Sequence, residues 1–229
     1  MIQLLFIQFK ELLNPEFYIQ NGGYFLVLFI IFAETGLFAG FFLPGDSLLF
    51  VAGIYSLDLV KEVLPTNSEY FSLFFLLVTI SLAGIFGNTV GYWFGKKSGP
   101  FLFHRKDTFF FKKKYLYQAK EFYEKHGGSA IVFARFLPIV RTFAPIVGGI
   151  VQMDAKKFAF YNVVGCVAWV FSMLFAGHFL YAFCRNQFGF DLKEHLEIIV
   201  LCIILVTTLP VIFKMVFGKS KTPDVPKPQ

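Results

Sequence analysis

Residues 134–149 read ARFLPIVRTFAPIVGG, a stretch apolar enough for a bilayer that nevertheless holds two arginines and two prolines. An arginine near the centre of a membrane helix costs about 2.5–3.5 kcal/mol on the insertion scale, and each proline removes a backbone donor and disfavours a continuous helix. Interrupted backbone at membrane depth is tolerated only where it is buried in protein or lines a wet cavity. The stretch therefore predicts a broken, re-entrant helical hairpin over about 128–150.

The composition is that of an integral membrane protein. Of the 229 residues, 56% are hydrophobic and only 16% are charged, and 34 are phenylalanines. A soluble domain of this size has no need of so much apolar surface. Three uninterrupted apolar segments, at about 71–95, 157–183 and 196–217, are long enough to cross a bilayer as helices, which takes about 20 residues. We therefore expect one all-α, polytopic membrane domain over residues 1–218.

A second broken segment, at about 24–54, contains FAETGLFAGFFLPGDSLLFVAG and predicts another re-entrant hairpin. The chain before each hairpin is similar, because FYIQNGG at 17–23 matches FYEKHGG at 122–128. Each copy predicts an amphipathic helix, a broken hairpin and a transmembrane helix, in a first repeat of about 1–95 and a second of about 105–183. Insertion of the halves from opposite faces would make an inverted repeat with its site near the membrane midplane, an arrangement typical of transporters.

The distribution of charge predicts the topology. Residues 96–126 hold nine Lys or Arg against three acids, and the positive-inside rule places such a loop in the cytoplasm. Asp107 begins a predicted amphipathic helix on the membrane surface, where its basic face is expected to meet anionic lipid and not nucleic acid. The net acidic connection 55–70 is predicted to lie outside. The Pro-rich tail 219–229 is predicted to be disordered and to place the C-terminus in the cytoplasm.

Three motifs in order resemble the signature of DedA-family membrane proteins, in the group that carries the SNARE-associated Golgi (VTT) domain. They are ETGLFAGFFLPGD at 34–46, GNTVGYWFGKKSG at 87–99 and FARFLPIVRTFAPIVGG at 133–149, and the resemblance covers about residues 17–180. It implies a multi-pass protein of the bacterial inner membrane that moves lipids between leaflets. Undecaprenyl phosphate is the best-defined cargo of the family, and other members are linked to phosphatidylethanolamine and to the proton-motive force.

The resemblance also implies which residues carry the function. The family's essential acidic pair maps to Glu34 and Asp46, and its essential arginines map to Arg135 and Arg141. Asn88 departs from the family pattern, which commonly has Asp at that position.

These residue types suit a phosphate-bearing lipid. Guanidinium binds phosphate oxygens bidentately and stays protonated, so Arg135 and Arg141 are predicted to cradle the phosphate. Ser47 is predicted either to hydrogen-bond the phosphate with them or to cap the second helix of the first hairpin. Glu34 and Asp46 are predicted to couple transport to protons or to gate the site, because a low dielectric favours the neutral form of a carboxyl group. The alternative is that the four charges only lock the hairpins together. The glycines and prolines of the hairpins are predicted to free backbone N–H groups for the headgroup, at Gly36, Pro44, Gly45, Pro138, Pro145 and Gly148. Asn88 and Asn162 are predicted to line the cavity or to satisfy the broken backbone, and Tyr92 to line the cavity or to serve in packing.

The predicted function is therefore that of a lipid transporter and not of an enzyme. An intramembrane lipid phosphatase, one alternative, would need a positioned nucleophile or base, usually a histidine, and only His126 lies at the edge of a hairpin. A proton-coupled small-solute or ion transporter is the other alternative, and it explains the acidic pair better than the arginines. No cofactor or metal is expected, because the histidines are scattered and the cysteines lie far apart in apolar runs.

Overall fold

The computed structural model describes residues 15–36, 45–104 and 127–189, with the isolated residues 121, 123, 125 and 192. The predicted span at 196–217, the surface helix after Asp107, the tail and Pro44 lie outside the described residues. Within the described ranges the chain is all-helical, as predicted, and contains no strand. The helices are α1 (Pro15–Gly36), α2 (Gly45–Ile54), α3 (Ser56–Lys61), α4 (Glu69–His104), α5 (Ser129–Ala134), α6 (Pro138–Ile150) and α7 (Ala155–Phe188).

Two helices are long and apolar enough to cross a membrane. They are the 31-residue segment Glu69–Gly99 of α4 and the 34 residues of α7, so the spans predicted at 71–95 and 157–183 are confirmed as long apolar helices. The outward face of α4 is apolar at every fourth position, which places these side chains on one stripe of the helix. A stripe of this kind suits contact with lipid chains, and its exposed members are Phe74, Val78, Leu82, Phe86 and Val90.

The segment 128–150 is broken where the prolines predict. Helix α5 ends at Ala134, residues 135–137 form a turn, and Pro138 is at the start of α6. Leu137 is extended (φ −113°, ψ 105°), the conformation that a following proline imposes on its neighbour. Pro145 lies inside α6, so the carbonyl oxygen of Arg141 loses its usual helical donor. The predicted break between two helices is thus present, whereas the re-entrant hairpin stays a prediction.

Helix α1 is kinked at the glycine pair that opens the first broken segment. Gly23 has φ 54° and ψ −149°, a conformation that favours glycine because it has no Cβ. The backbone N–H of Tyr24, just after the kink, donates to Glu62 Oε2 at 2.8 Å. In the second copy of the motif, Gly127 has φ 60°. Each copy therefore contains one glycine of positive φ, the second of the glycine pair in the first copy and the first of the pair in the second copy.

Among the described residues, the largest core cluster is built from α1, α2, α3, α4 and α7. Helix α2 is buried along its whole length and packs on α7, while α1 packs on α4. Burying apolar side chains in this way contributes roughly 1.5–3 kcal/mol for each large residue. The fully buried members of the cluster include Ile31, Leu48, Leu49, Leu76, Ile80, Trp169 and Leu174.

The crossing of α2 over α7 depends on two glycines. A methyl group on Gly53 would lie 2.2 Å from the carbonyl oxygen of Leu174, and one on Gly177 would lie 2.0 Å from that of Phe50. Gly53 lies three residues after Phe50, and Gly177 lies three residues after Leu174. The two contacts are therefore reciprocal and have the same spacing. Small residues let two backbones come this close, as they do in membrane helix pairs.

The crossing of α4 over α6 repeats this arrangement. A methyl group on Gly149 would lie 2.0 Å from the carbonyl oxygen of Tyr92, and one on Gly95 would lie 2.0 Å from that of Ile146. The spacing of three residues is the same as in the α2–α7 crossing. In both crossings the second helix of a broken segment packs on the long helix of the other half. The match supports the predicted repeat, while the opposite insertion of the halves stays a prediction.

Adjacent glycines give a direct test of the α4–α6 crossing. Gly149→Ala is expected to lower the Tm of the detergent-solubilised protein, because its methyl group meets a backbone oxygen that cannot rotate away. Overpacking of this kind costs about 1–3 kcal/mol, and each kcal/mol shifts Tm by about 2–4 °C in a protein of this size. Gly148→Ala is the control, since its nearest neighbour would be Ile131 Cδ1 at 3.7 Å. Equal Tm values for the two variants would contradict the crossing.

Candidate functional site

The four charged residues predicted from the sequence meet in one buried cluster. Glu34 lies in the last turn of α1, Asp46 in the first turn of α2, Arg135 in the turn between α5 and α6, and Arg141 on α6. Each side chain is buried. The acids come from the first half of the chain and the arginines from the second, so the cluster forms only when both broken segments are in place.

Arg141 bridges the two carboxylates. Its Nη1 donates to Asp46 Oδ1 and its Nη2 donates to Glu34 Oε1, partners that lie 95 and 107 residues away in the sequence. Charge-assisted hydrogen bonds of this kind are about twice as strong as neutral ones. The planar guanidinium fork therefore ties the end of α1 and the start of α2 to α6.

Trp169 of α7 lies against the same cluster. Its indole Nε1 donates to Asp46 Oδ1 at 2.8 Å, and its ring centroid is 4.7 Å from Arg141 Cζ and 6.0 Å from Arg135 Cζ. Both distances are within the range of a cation–π interaction. The sequence reasoning missed this residue, because a tryptophan inside an apolar span looks like any other packing residue. Its one distinguishing signal is that it lies mid-span, away from the interfaces where tryptophan is enriched.

Arg135 is stabilised differently from Arg141. Its Nη2 donates to Asn162 Oδ1 at 2.6 Å, and Asn88 Nδ2 donates to the same oxygen at 2.8 Å. Asn162 Nδ2 in turn donates to the carbonyl oxygen of Ile85 at 3.2 Å. Among the described residues, no carboxylate forms an ion pair with Arg135. A buried cation thus lies opposite neutral amides, where an ion would ordinarily be expected to have a charged partner.

Two polar atoms of the charge cluster have unused hydrogen-bonding capacity. Within the described part of the chain, Glu34 Oε2 and Arg141 Nε are buried and make no hydrogen bond. A buried polar atom without a partner costs about 1–3 kcal/mol. Glu34 Oε2 can therefore take a proton, and Arg141 Nε can donate to a further group. The hydrogen bonds between Arg141 and the two acids stay in place in either case.

Two predicted backbone residues sit at close approaches. Gly45 begins α2 directly beside the Glu34 carboxylate, where a Cβ would overlap Oε2. Gly36 ends α1 against Gly87 of α4, whose carbonyl oxygen would lie 2.8 Å from a Cβ. Both glycines therefore let α1 end close to its neighbours. Gly148 is in ordinary contact with Ile131, so it does not share this feature.

The other predicted residues fall into two groups. Asn88 and Asn162 are in the Arg135 cluster, as described above. Ser47 is buried on α2 beside Asp46, but the described residues include no hydrogen bond between it and either arginine. Tyr92 lies elsewhere, with its hydroxyl donating to the Met153 carbonyl oxygen at 2.5 Å and its ring stacked on Phe158 at 4.3 Å.

Comparison with known proteins places the chain in a family. The VTT domain matches residues 25–179, a range that contains every residue of the cluster. Protein DedA of Escherichia coli K12 is 39% identical over 196 residues, covering 86% of this chain and 83% of the relative. The chain belongs to the DedA family of VTT-domain membrane proteins.

Two further bacterial relatives of this DedA-family protein agree with the assignment. An uncharacterized membrane protein of Mycobacterium tuberculosis H37Rv is 34% identical over 206 residues, covering 87% of this chain and 84% of the relative. Inner membrane protein YqjA of Escherichia coli K12 is 30% identical over 182 residues, covering 79% and 77%. No solved structure matches the chain. The predicted family and the assignment to a bacterial membrane protein are thereby confirmed.

Proposed function

We propose that this protein moves a phosphate-bearing lipid between the leaflets of the bacterial inner membrane, with undecaprenyl phosphate as the first cargo to test. The observation that carries the proposal is Arg135, a buried cation that lies opposite neutral amides instead of a carboxylate. Among the described residues, Arg135 therefore has no carboxylate hydrogen-bond partner that an entering phosphate would have to displace. The family assignment supports a membrane transporter, and the names of two relatives describe them as membrane proteins.

The headgroup would bind where the donors already converge. Arg135 Nη2 and Asn88 Nδ2 both point at one oxygen, Asn162 Oδ1, at 2.6 and 2.8 Å. A phosphate oxygen that replaced Asn162 would receive the same two donors. Arg135 has five N–H donors in a fixed fork that matches phosphate, so a second phosphate oxygen can be held as well. Donor geometry of this kind favours a tetrahedral oxyanion over a metal ion or an amine.

The charge balance of the cluster suggests how protons take part. With both acids ionised, Glu34 and Asp46 balance Arg141 and Arg135. A phosphate monoanion entering this neutral cluster would leave an unbalanced buried charge, which is costly in a low dielectric. A proton taken up on one carboxyl group would restore neutrality, and the unpartnered Glu34 Oε2 is the proposed acceptor. Phosphate and proton would then enter and leave together.

The two broken segments give the proposed route across the membrane. Hairpins that dip from opposite faces would bring Glu34 and Asp46 from one side and the arginines from the other to a site near the midplane, as in other inverted-repeat transporters. The repeated glycine crossings of α2 on α7 and of α6 on α4 support this arrangement. Movement of one crossing against the other would expose the site first to one side of the membrane and then to the other. With the basic segment 96–126 in the cytoplasm, the C-terminus lies there too.

The test is leaflet reorientation in proteoliposomes. Undecaprenyl phosphate exposed on the outer leaflet is measured with an impermeant phosphatase, and phosphatidylethanolamine with an impermeant amine reagent, each with and without an imposed pH gradient. We expect protein-dependent movement of the polyprenyl phosphate alone, accelerated by the gradient. Equal movement of both lipids would indicate a general scramblase. Insensitivity to the gradient would remove the proton coupling, and movement of neither lipid would overturn the proposal.

Arg135→Ala and inorganic phosphate release serve as controls in the same assay. Arg135→Ala should reduce reorientation to the level of empty liposomes, because the proposed phosphate donor is gone. Phosphate release by the protein itself would favour the lipid phosphatase, and proton flux without lipid would favour the small-solute transporter.

A further inference from the structure

A cavity of about 340 Å³ lies within the second broken segment, between α5 and α6. Its volume is in the range of small-molecule sites, roughly 300–1,000 Å³. The wall is almost entirely apolar and is formed chiefly by Ala130, Phe133, Ala134, Val140, Ala144 and Val147. A cavity with walls of this kind stays dry and accepts apolar guests.

The polar groups at the edge of the cavity do not change this character. The hydroxyl of Tyr123 donates to the carbonyl oxygen of Ala144 at 2.9 Å, so it is already engaged. Burial raises the pKa of this phenol, which therefore stays neutral. Ser129, the other hydroxyl residue of the wall, also has a partner. Water, a polar headgroup or an ion would thus find almost no hydrogen-bonding partners in this cavity.

The helices that form the cavity are the same ones that present the two arginines. On α6, Val140, Ala144 and Val147 follow one another on one face, at the spacing that aligns side chains along a helix, while Arg141, one residue after Val140, projects into the charge cluster. On α5, Ala134 faces the cavity and the next residue is Arg135. An apolar site and a cationic site therefore lie on different faces of the same pair of helices, a layout that suits an anionic amphiphile.

The cavity opens on the apolar outer surface of the protein. Phe133 and Val140 on its rim are 71% and 42% exposed, and exposed apolar side chains of a membrane protein face lipid. We infer that this cavity binds the hydrocarbon chain of the carried lipid while the phosphate reaches Arg135 on the other face. The inference rests on the proposed transport of a phosphate lipid and adds the place where its chain is held.

Photo-crosslinking of the wild-type protein tests this inference directly. A polyprenyl monophosphate with a diazirine in its chain is irradiated in proteoliposomes, beside a diazirine-bearing phosphatidylcholine at equal amount. We expect peptide mapping to place the polyprenyl adducts on 129–147 and the phosphatidylcholine adducts elsewhere. Equal labelling of 129–147 by both lipids would mean that bulk lipid fills the cavity. Polyprenyl adducts confined to other segments would likewise overturn the inference.

A cavity-filling variant supplies the second measurement. Ala130→Phe places a ring in the cavity five residues before Arg135 and should lower crosslinking at 129–147 and lipid reorientation by roughly tenfold, the usual effect of a misfit in an apolar pocket. Val78→Phe is the control, because Val78 is exposed on α4 and lies outside the cavity wall. A stable Ala130→Phe protein with wild-type crosslinking and transport would contradict the chain site.

The two proposals fail in different ways. Adducts on 129–147 without any reorientation of lipid would leave the chain site standing and remove the transport function. Arginine-dependent reorientation with adducts elsewhere would leave the transport function standing and remove the chain site.

Discussion

Arg141→Gln is expected to cost the protein its fold as well as its activity. Arg141 is the shared hydrogen-bond donor to Glu34 and Asp46, and all three side chains are buried. Glutamine would leave the two carboxylates without the cation that bridges them. Breaking a buried ion pair costs about 3–5 kcal/mol, which lowers the folded-to-unfolded ratio roughly a hundredfold or more. The measurement is the yield of monodisperse protein by fluorescence-detected size-exclusion chromatography.

A triple variant separates the structural role of these charges from their role in transport. Glu34→Gln, Asp46→Asn and Arg141→Gln together remove the bridging cation and both of its carboxylates, while Arg135 keeps its hydrogen bond to Asn162. Replacing all partners of a buried ion pair is often nearly neutral. The asparagine amide introduced by the second substitution would keep an oxygen for the indole N–H of Trp169. We expect the folded yield to return while lipid reorientation stays at the level of empty liposomes.

The opposite result has an equally clear meaning. If the triple variant folds and also transports lipid at the wild-type rate, the acids and Arg141 are only a lock between the hairpins. The proposed proton coupling would then have no group to act through. Folding of the Arg141→Gln variant at normal yield would instead contradict the buried bridge itself.

The breaks and spans of this fold follow directly from the sequence, because each depends on local chemistry. Pro138 forces Leu137 out of the helix wherever the segment lies, so the break could be placed to within a few residues. Continuous apolar runs identify α4 and α7 for the same reason. Their ends were underestimated: α4 continues to His104 and α7 to Phe188. Once an apolar run leaves the bilayer, polar residues can continue its helix, and hydropathy no longer marks the end.

The partners within the site could not be predicted from the sequence. The sequence predicts that two acids and two arginines meet. Which arginine forms the ion pairs with the acids depends on how α2 packs on α7 and how α6 packs on α4. These crossings rest on glycine contacts between residues that are more than 50 positions apart. The same holds for Asn88 and Asn162, which share a hydrogen bond across 74 residues. Trp169 was missed because its role comes only from the groups that fold against it.

Arg135→Lys is expected to lower lipid reorientation at least roughly tenfold, the loss typical of one charge-assisted donor worth about 1.5–3 kcal/mol, while leaving the Tm nearly unchanged. Arg135 has no carboxylate partner among the described residues, so lysine leaves no acid unpaired. An ammonium can still donate to Asn162 and keep the positive charge. It cannot present the planar fork that holds two phosphate oxygens at once. Transport and Tm, measured on the same preparation, show whether the substitution acts on phosphate binding or on the stability of the protein.

Arg185→Lys is the matched control for this change. Arg185 lies near the end of α7, away from the charge cluster, and its Nη1 donates to the hydroxyl of Tyr181 at 3.3 Å. The same substitution there should alter neither transport nor Tm. A loss of transport in Arg135→Lys but not in Arg185→Lys would show that the guanidinium group matters at its position in the cluster and not at any arginine of the protein.

Wild-type transport by Arg135→Lys would show that positive charge alone is sufficient at this position. The phosphate cradle would then be wrong, and any anionic headgroup of suitable size would serve as cargo. A large fall in Tm with Arg135→Lys would mean something different, because it would assign Arg135 to the amide network of Asn88 and Asn162 as a structural element. Loss of transport at unchanged Tm is the one outcome that requires the fork, since only a group that engages the substrate is then missing. That outcome would place the lipid phosphate on Arg135 and leave Arg141 as the bridge that holds the site together.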